Sequence, residues 1–301
     1  VISTGRRTAP VARWVAARSL GKTRVVQLGR KGGEIADDFD LVVSCLHFRQ
    51  PYHPRRLETL APLNPLIDAR LSAAAERWQG LFDATPAPHV ALVVGGSSAM
   101  HRLDAATARR MAEEVRAFAE AAGGRVFTVT SPRTSPAAVA ALREGLGDSA
   151  ALYVWRPGDR ANNPYLGYLA LADILVVTGE SESMLGEAAA TGKPLYIYPL
   201  PERPAGVRTR LAEWIVGQAR RARLNKRGTI RPQRGWQRLC ARLVERGWVR
   251  PRRRLGLMHQ ALVRQVGARY FGEPLAAGGR SALRETQAVA QRVRALMGFE
   301  T

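Results

Sequence analysis

Hydroxyl and carboxylate side chains are concentrated in one stretch, residues 178–194, which reads TGESESMLGEAAATGKP. An apolar run ends at Val177, so the stretch is predicted to turn from a strand into a helix. Ser181 and Ser183 would stand at the helix N-terminus, where they could donate to a phosphate or simply cap the helix. Glu187 follows Ser183 by four residues and shares its helical face. Its carboxylate could accept hydrogen bonds from a ribose diol, or act as an ordinary partner of the helix dipole.

A glycine-serine loop, Gly95-Gly96-Ser97-Ser98, follows another apolar run, residues 89–94. Glycines let a backbone approach a ligand closely, and the amides and hydroxyls that follow could hold a phosphate. The loop lacks the GxGxxG pattern and the Walker lysine. A tight strand-to-helix turn is therefore the alternative interpretation.

Two more loops carry polar side chains directly after apolar runs. In residues 131–136, Arg133 could contact a phosphate or form a surface salt bridge, and Thr134 or Ser135 could cap the next helix. In residues 161–165, Asn163 and Tyr165 could contact a base or a sugar ring. Because Asn-Pro also initiates helices, a purely structural role is the alternative there.

Short apolar runs alternate with helical stretches between residues 89 and 199, the pattern of a parallel sheet with crossover helices. Strands are predicted at 89–94, 125–130, 150–155, 173–177 and 194–198. Helices are predicted at 104–122, 136–146, 164–171 and 183–191. In an open parallel sheet, ligands bind beyond the carboxyl ends of the strands, which is where all four loops fall.

The rest of the chain is predicted to flank this α/β domain with a similar domain before it and helices after it. Before it we predict strands at 1–4, 23–28 and 39–45, helices at 10–20 and 62–78, and a loop at 47–65. After residue 199 the strands are predicted to stop, and helices follow at 206–221, 236–246, 255–270 and 281–297. The predicted domains are residues 1–84, 89–200 and 201–301.

Composition excludes several classes of protein. Hydrophobic residues make up 46% and charged residues 24%, which are ordinary globular values. The two cysteines give neither a disulfide framework nor a metal site, and the five histidines lack ligand spacing, so we expect no metal and a cytoplasmic setting. The net charge is +21, of which residues 201–301 carry +17, from 23 Lys and Arg against 6 Asp and Glu. Such a field favours an anionic partner, although arginine-rich solvated helix faces also explain it.

Several spaced segments together resemble known families. The run LADILVVTG, followed by EAAATGKP, is similar to the nucleotide-binding half of GT-B glycosyltransferases, notably the bacterial lipid II N-acetylglucosaminyltransferase. The segments GGSS, TSPRT, NPY and ESM, in this order, more closely resemble the mitochondrial fission family named for elongated mitochondria. The likeness extends from residue 1 to about residue 272.

The resemblance implies an α/β, GT-B-like fold in which two Rossmann-type domains with parallel sheets face a cleft. Residues 1–84 would be a truncated acceptor-side domain, residues 89–200 the nucleotide-binding domain, and residues 201–301 a basic helical extension packed on both. In such enzymes a glutamate on the corresponding helix holds the ribose of a UDP-sugar. The resemblance implies the same role for Glu187. The candidate nucleotide-binding residues are Gly95, Gly96, Ser97, Ser98, Arg133, Thr134, Asn163, Tyr165, Ser181, Ser183, Met184 and Glu187.

The acceptor side is less well defined. Family members usually carry a further segment before residues 1–8, and the chain opens within a predicted strand, so we expect a missing beginning. That segment would supply the loop where related transferases often place a catalytic base. Among the residues present, His47 and His53 follow a strand and are candidates for the base, or are ordinary loop histidines. Arg6 and Arg7 could contact a phosphorylated acceptor or face solvent.

Three functions follow as hypotheses. The first is an inverting, metal-independent glycosyltransferase with a UDP- or GDP-linked sugar as donor and an anionic or lipid-linked acceptor. Its basic residues 201–301 would lie on an anionic membrane surface at the inner, cytoplasmic face. The second is a non-catalytic adaptor that recruits a protein partner to a membrane, as the plant member of the family is thought to do. Nucleic-acid binding is the third, and it is disfavoured because no zinc-finger, RNP or homeodomain signature is present.

Overall fold

The computed structural model describes residues 1–5, 7–29, 35–66, 68–148, 150–203, 209–274 and 281–299. Among these, the strands are β1 (Ile2–Thr4), β2 (Val26–Leu28), β3 (Leu41–Cys45), β4 (Arg56–Thr59), β5 (His89–Val94), β6 (Arg125–Thr130), β7 (Ala151–Tyr153), β8 (Ile174–Thr178), β9 (Leu195–Tyr198), β10 (Arg223–Leu224), β11 (Ile230–Arg231) and β12 (Arg269–Tyr270). The helices are α1 (Ala9–Arg18), α2 (Asp68–Asp83), α3 (Ala105–Ala121), α4 (Pro136–Leu146), α5 (Tyr165–Leu171), α6 (Glu182–Ala190), α7 (Thr209–Ala219), α8 (Gly235–Glu245), α9 (Leu255–Val266) and α10 (Glu285–Leu296).

The chain divides into two compact units. Unit 1 is formed by the described residues of 1–63, 205–258 and 284–301, and unit 2 by those of 64–204 and 259–283. This division differs from the three consecutive domains predicted from the sequence. The last third contributes to both units, since β12 pairs with β9 in unit 2 and the Glu285 carboxylate accepts the amide protons of Leu60 and Ala61 in unit 1.

Unit 1 is built on a parallel sheet with the order β1-β2-β3-β4. Successive strand residues point to opposite faces, and helices cover both faces. Ala9 and Ala12 of α1 pack against Val42 on one face. Val289 and Val293 of α10 pack on the other, against a cluster that includes Val26, Leu41 and Val43.

Unit 2 is built on a six-stranded sheet with the order β12-β9-β8-β5-β6-β7, in which every pair is parallel. Helices α3 and α4 cover one face through a core that includes Met111 and Leu142. On the opposite face, Phe127 stacks on Phe82 of α2 at 4.1 Å between ring centroids and meets Tyr168 of α5 edge-on at 5.6 Å. The prediction of an α/β fold with parallel sheets is confirmed.

The structure corrects three predictions of local structure. The predicted loop at 47–65 contains the edge strand β4, which pairs with β3. Its polar residues Arg56 and Glu58 gave the sequence the pattern of a loop. The predicted helix at 255–270 ends at Val266, because Gly267 takes a positive φ of 73° and the chain then enters β12. Strands also do not stop after residue 199, since β10, β11 and β12 all follow.

Candidate functional site

The order of the strands in unit 2 marks one place on the sheet where a ligand would fit. The chain proceeds from β5 through β6 to β7 on one side, and then places β8 and β9 on the other side of β5. Strands β5 and β8 are therefore neighbours at the point where the winding direction reverses. A crevice opens at the carboxyl ends of strands at such a switch point, and open α/β folds bind ligands there. The loops that begin at Gly95 and Gly179 flank this point.

A buried carboxylate, Glu180, ties these two loops together. Its side chain is fully buried, and its Oε1 accepts the Gly96 amide proton at 2.7 Å. The same oxygen lies 3.4 Å from Nη2 of Arg133, which comes from the loop after β6. Burial raises the pKa of Glu180, while the Gly96 amide and the Arg133 charge oppose that rise.

The two loop glycines are required by close packing within the protein. A methyl group on Gly95 would lie 1.8 Å from Oε1 of Glu180, and one on Gly96 would lie 2.1 Å from the carbonyl oxygen of Arg133. The Gly95 amide donates to Oγ1 of Thr178 at 2.8 Å, and its carbonyl accepts from Oγ of Ser131 at 2.7 Å. The loop is therefore braced on both sides, and the Gly96 amide is already engaged by a carboxylate.

Arg133 links the loop after β6 to the start of helix α6. Its Nη2 donates to Oγ of Ser181 at 3.2 Å, and 44% of its side chain remains exposed to solvent. Thr134 holds the same loop in place, since its hydroxyl accepts the Ser131 amide proton at 3.0 Å and donates to the Gly95 carbonyl. The structure thus brings Gly95, Gly96, Arg133, Thr134 and Ser181 together at the switch point.

The N-terminus of α6 lies directly beside this cluster. Ser181 precedes the helix, and its side chain does not cap it. Its hydroxyl oxygen instead accepts a hydrogen bond from Nη2 of Arg133. Ser183 is exposed in the first turn, and Met184 next to it is half-buried. Exposed amides and the helix dipole at such a terminus favour an anion.

Glu187 stands one turn further along α6 and is held by an aromatic hydroxyl. Tyr165 donates its hydroxyl proton to Oε2 of Glu187. The Asn163 side chain accepts the Tyr165 amide proton at 3.0 Å, which fixes the start of α5. Burial raises the pKa of Glu187, and the Tyr165 hydrogen bond and the charge of Arg70 partly offset the rise.

Ser97 and Ser98 do not present their hydroxyls as the sequence suggested. The Ser97 hydroxyl accepts the Leu103 amide proton at 2.9 Å. The Ser98 hydroxyl accepts the amide protons of Met100 and His101 at 3.2 and 3.0 Å. Both side chains close the loop 97–103 on itself, because a hydroxyl close to unpaired backbone amides caps them locally.

The acceptor-side candidates lie in unit 1. The His47 side chain is completely buried next to Phe48, with 4.3 Å between ring centroids. Nε2 of His53 pairs with Asp37 at 3.0 Å, its Nδ1 accepts the Arg55 amide proton, and burial lowers its pKa. Arg7 is exposed, and Arg6 lies outside the described residues. A general base must reach the proton that it abstracts, so burial argues against His47 in that role.

Sequence reasoning missed three members of the switch-point cluster: Glu180, Thr178 and Ser131. Their signal was present, because each stands at or just after the carboxyl end of a strand in unit 2. In this stretch the sequence pattern indicated Ser181 and Glu187, at the start of the helix that follows and within it. The carboxylate that contacts the glycine loop is instead the one that precedes the helix.

The model of one family, Mitochondrial fission ELM1, matches residues 1–239 of the chain. The chain belongs to that family. One relative is the Mitochondrial fission protein ELM1 of Arabidopsis thaliana. It is 27% identical over 263 residues, which cover 79% of this chain and 57% of the relative.

A second relative, the Uncharacterized protein RP120 of Rickettsia prowazekii, is 26% identical over 153 residues, which cover 48% of this chain and 42% of the relative. The chain of this structure thus spans about half the length of the curated relatives that it matches.

Solved structures that are similar to this chain include a glycosyl transferase and an epimerase. A glycosyl transferase of family 9 from Veillonella parvula is 13% identical, covers 64% of this chain and 63% of its own, and has a TM-score of 0.37. The UDP-GlcNAc 2-epimerase of Neisseria meningitidis, bound to UDP-GlcNAc, is 12% identical, covers 88% of this chain and 75% of its own, and has a TM-score of 0.41.

Proposed function

We propose that unit 2 binds a nucleoside diphosphate sugar, linked to uridine or guanosine, at the carboxyl ends of β5, β6 and β8. The sugar would be transferred to an anionic or lipid-linked acceptor. The observation that carries the proposal is the meeting of Arg133, Ser181 and the α6 N-terminus at the switch point of the sheet. A cation, a hydroxyl and a helix terminus in one place form an anion site.

The diphosphate would lie between Arg133 and the first turn of α6. Arg133 is partly exposed, so its guanidinium can donate to phosphate oxygens while it keeps its contact with Ser181. The exposed Ser183 hydroxyl would be a second donor. The Gly96 amide would not contribute, because Glu180 already accepts its proton. This assignment replaces the expectation that the glycine loop itself cradles the phosphate.

The ribose would be held by Glu187. Its Oε2 accepts from the Tyr165 hydroxyl, which orients the carboxylate. The carboxylate has further lone pairs with which to accept from the 2′ and 3′ hydroxyls. Glu187 is placed on the helix whose N-terminus would face the diphosphate, so one element would contact two parts of the donor.

In the transfer itself, an acceptor oxygen would attack the anomeric carbon as the bond from that carbon to the diphosphate oxygen breaks. The leaving nucleoside diphosphate would take the electron pair, and Arg133 and the α6 dipole would stabilise its growing charge. The proton of the acceptor hydroxyl must pass to a base. We assign none, since His47 is buried and His53 is bound to Asp37.

This same observation favours a second candidate, a non-catalytic adaptor that retains a nucleotide site. Such a protein needs unit 2 to bind a ligand but needs no base in unit 1. Membership of the ELM1 family is compatible with this candidate, because its Arabidopsis relative is named for mitochondrial fission.

Calorimetric titration tests the nucleotide site directly. UDP, GDP and their sugar derivatives are titrated into the intact chain and into the variants Glu187→Ala and Arg133→Gln. We expect saturable binding of one nucleotide series and a loss of about tenfold or more in affinity for each variant, since each removes a charged hydrogen-bond partner. Glu76→Ala, which removes an exposed carboxylate on α2, is the matched control and should bind as the parent does.

Two outcomes separate the candidates. Binding together with release of free nucleotide from a labelled donor in the presence of acceptor lipids supports transfer. Binding without any turnover supports the adaptor. If neither nucleotide series binds at millimolar concentration, the proposed site is wrong.

A further inference from the structure

We propose that one face of the helix pair α7 and α8 in unit 1 is a docking surface for an anionic membrane. Four large apolar side chains of this pair are exposed to solvent, each by between 46% and 69%. They are Leu211, Trp214, Trp236 and Leu239. Exposed apolar side chains that gather in a patch on a folded protein indicate an interaction site.

The packing of the two helices makes these side chains one surface. Helices α7 and α8 are joined by a buried cluster that includes Val216 and Cys240. On the outside of this cluster, the rings of Trp214 and Trp236 lie 5.8 Å apart between centroids. Leu211 and Leu239 each lie three residues from one of these tryptophans, and hence on the same helical face.

The segment that carries this surface is almost entirely positive in charge. Residues 209–254 contain 15 Lys and Arg but only 2 Asp and Glu. Both acids are already paired inside unit 1. Glu213 contacts Arg49 at 2.7 Å and Arg254 at 2.8 Å, and Glu245 contacts Arg56 at 3.5 Å.

Arginines with high exposure flank the apolar residues on the two helices and in the turns that join them. These arginines are Arg210, Arg221, Arg234, Arg238 and Arg246. Among the described residues of this segment, both acidic side chains are paired with other arginines, so none neutralises the positive charge of these five. The surface therefore favours a partner with many negative charges.

The combination of chemistry distinguishes a lipid surface from other polyanions. Tryptophans prefer the boundary between headgroups and acyl chains, where the ring is apolar and the indole N–H remains hydrated. Leucines gain free energy from the acyl region but have no π face on which a nucleobase could stack. Arginines beside them reach lipid phosphates while their stems cover apolar surface. Helices of this kind lie in the interface plane.

Within the ranges that the structure describes, no helix is both long enough and apolar enough to span a bilayer. The surface lies wholly in unit 1, whereas the proposed nucleotide site lies in unit 2. The two proposals are therefore independent, and nucleotide titration of the same variants distinguishes failure of one from failure of the other.

Vesicle flotation tests the inference. The intact chain is mixed at low salt with vesicles of phosphatidylcholine alone and with vesicles containing phosphatidylglycerol. We expect flotation only with the anionic vesicles, and at least a tenfold lower partition coefficient for the double variant Trp214→Ala/Trp236→Ala. Arg238→Gln/Arg246→Gln should lower it by a similar factor, since each arginine near an anionic surface contributes about fivefold.

The controls locate the effect. Trp14→Ala removes a tryptophan of α1 that is 60% exposed, more than Trp214 or Trp236, and should float as the parent does. All variants should keep the circular dichroism spectrum of the parent, because the replaced side chains are exposed. Equal binding to neutral vesicles, an equal loss in Trp14→Ala, or tight binding to duplex DNA or RNA without binding to vesicles would overturn the proposal.

Discussion

Replacing Gly96 by alanine tests whether the glycine loop is shaped by the protein's own packing. The new methyl carbon would lie 2.1 Å from the carbonyl oxygen of Arg133 and 2.4 Å from its carbonyl carbon. An optimal contact between heavy atoms needs about 3.5 Å. The neighbouring atoms belong to backbone, which cannot rotate away as a side chain can. One of the two loops must therefore move by more than about 1 Å.

Two costs add up in this variant. Forcing a methyl group into a packed site costs about 1–3 kcal/mol. Moving the loop also breaks the 2.7 Å hydrogen bond from the Gly96 amide to the buried Glu180 carboxylate, which adds about 1–3 kcal/mol. We expect Gly96→Ala to lower the free energy of unfolding by about 3 kcal/mol or more. Urea titration followed by circular dichroism measures this loss.

Gly80→Ala is the matched control, because Gly80 lies in helix α2 of the same unit and a methyl group there meets nothing within 4 Å. Alanine favours a helix over glycine by about 0.5–1 kcal/mol, so this variant should be as stable as the parent or more stable. A loss of less than about 1 kcal/mol in Gly96→Ala, with the parental fold kept, would show that the loop is not fixed by this packing.

Three more results follow from the contacts around the site. Tyr165→Phe removes the hydroxyl that donates to Glu187, so we expect a loss of about 1–2 kcal/mol in urea titration, because a partly buried carboxylate loses a donor. The same variant should bind nucleotide more weakly in calorimetry, and unchanged affinity would exclude a role for Tyr165 in orienting Glu187. Because burial raises the pKa of Glu180 in the folded state, its contribution to stability is full below about pH 4.5 and is lost as pH rises through the folded pKa. The stability of Glu180→Gln relative to the parent should therefore increase from pH 4.5 to pH 7.5, and a constant difference would contradict the raised pKa.

Much of unit 2 was predictable, because its strands are buried on both faces and are near-continuous apolar runs. The predicted bounds of β5, β6 and α4 agree with the structure at every residue. Such runs are unambiguous when glycine, proline or polar loops punctuate them. These strands alternate with helices, which predicts a parallel sheet, so the sequence alone indicated that the polar loops lie at the carboxyl ends of the strands.

Elements whose stability comes from distant partners could not be predicted. Strand β4 carries Arg56 and Glu58, which look like loop residues until their partners are known. Arg56 contacts Glu245, and Arg220 pairs with Glu58 at 2.6 Å. Those contacts span more than 160 positions in the chain, and no local pattern reveals them. Strand β12 has only two residues and is stabilised by pairing with β9, the strand beside it in the sheet.

The candidate site shows the same division. Residue types at the ends of strands indicated an anion site, and the structure brings Arg133 and Ser181 together there. The sequence could not show that Glu180 fills the space beside the glycine loop. Nor could it show that the hydroxyls of Ser97 and Ser98 close their own loop. A serine hydroxyl or a glutamate carboxylate can cap backbone amides, hold a loop in place or bind a ligand. Which of these it does depends on the groups that the fold places beside it.

A crystal structure of the chain soaked or grown with UDP and, in parallel, with GDP tests the central claim most directly. We predict that one of the two occupies unit 2, with its diphosphate within hydrogen-bond distance of Arg133 and the first turn of α6 and its ribose on Glu187. A nucleotide found elsewhere in the chain, or a ribose that does not touch Glu187, would contradict the account.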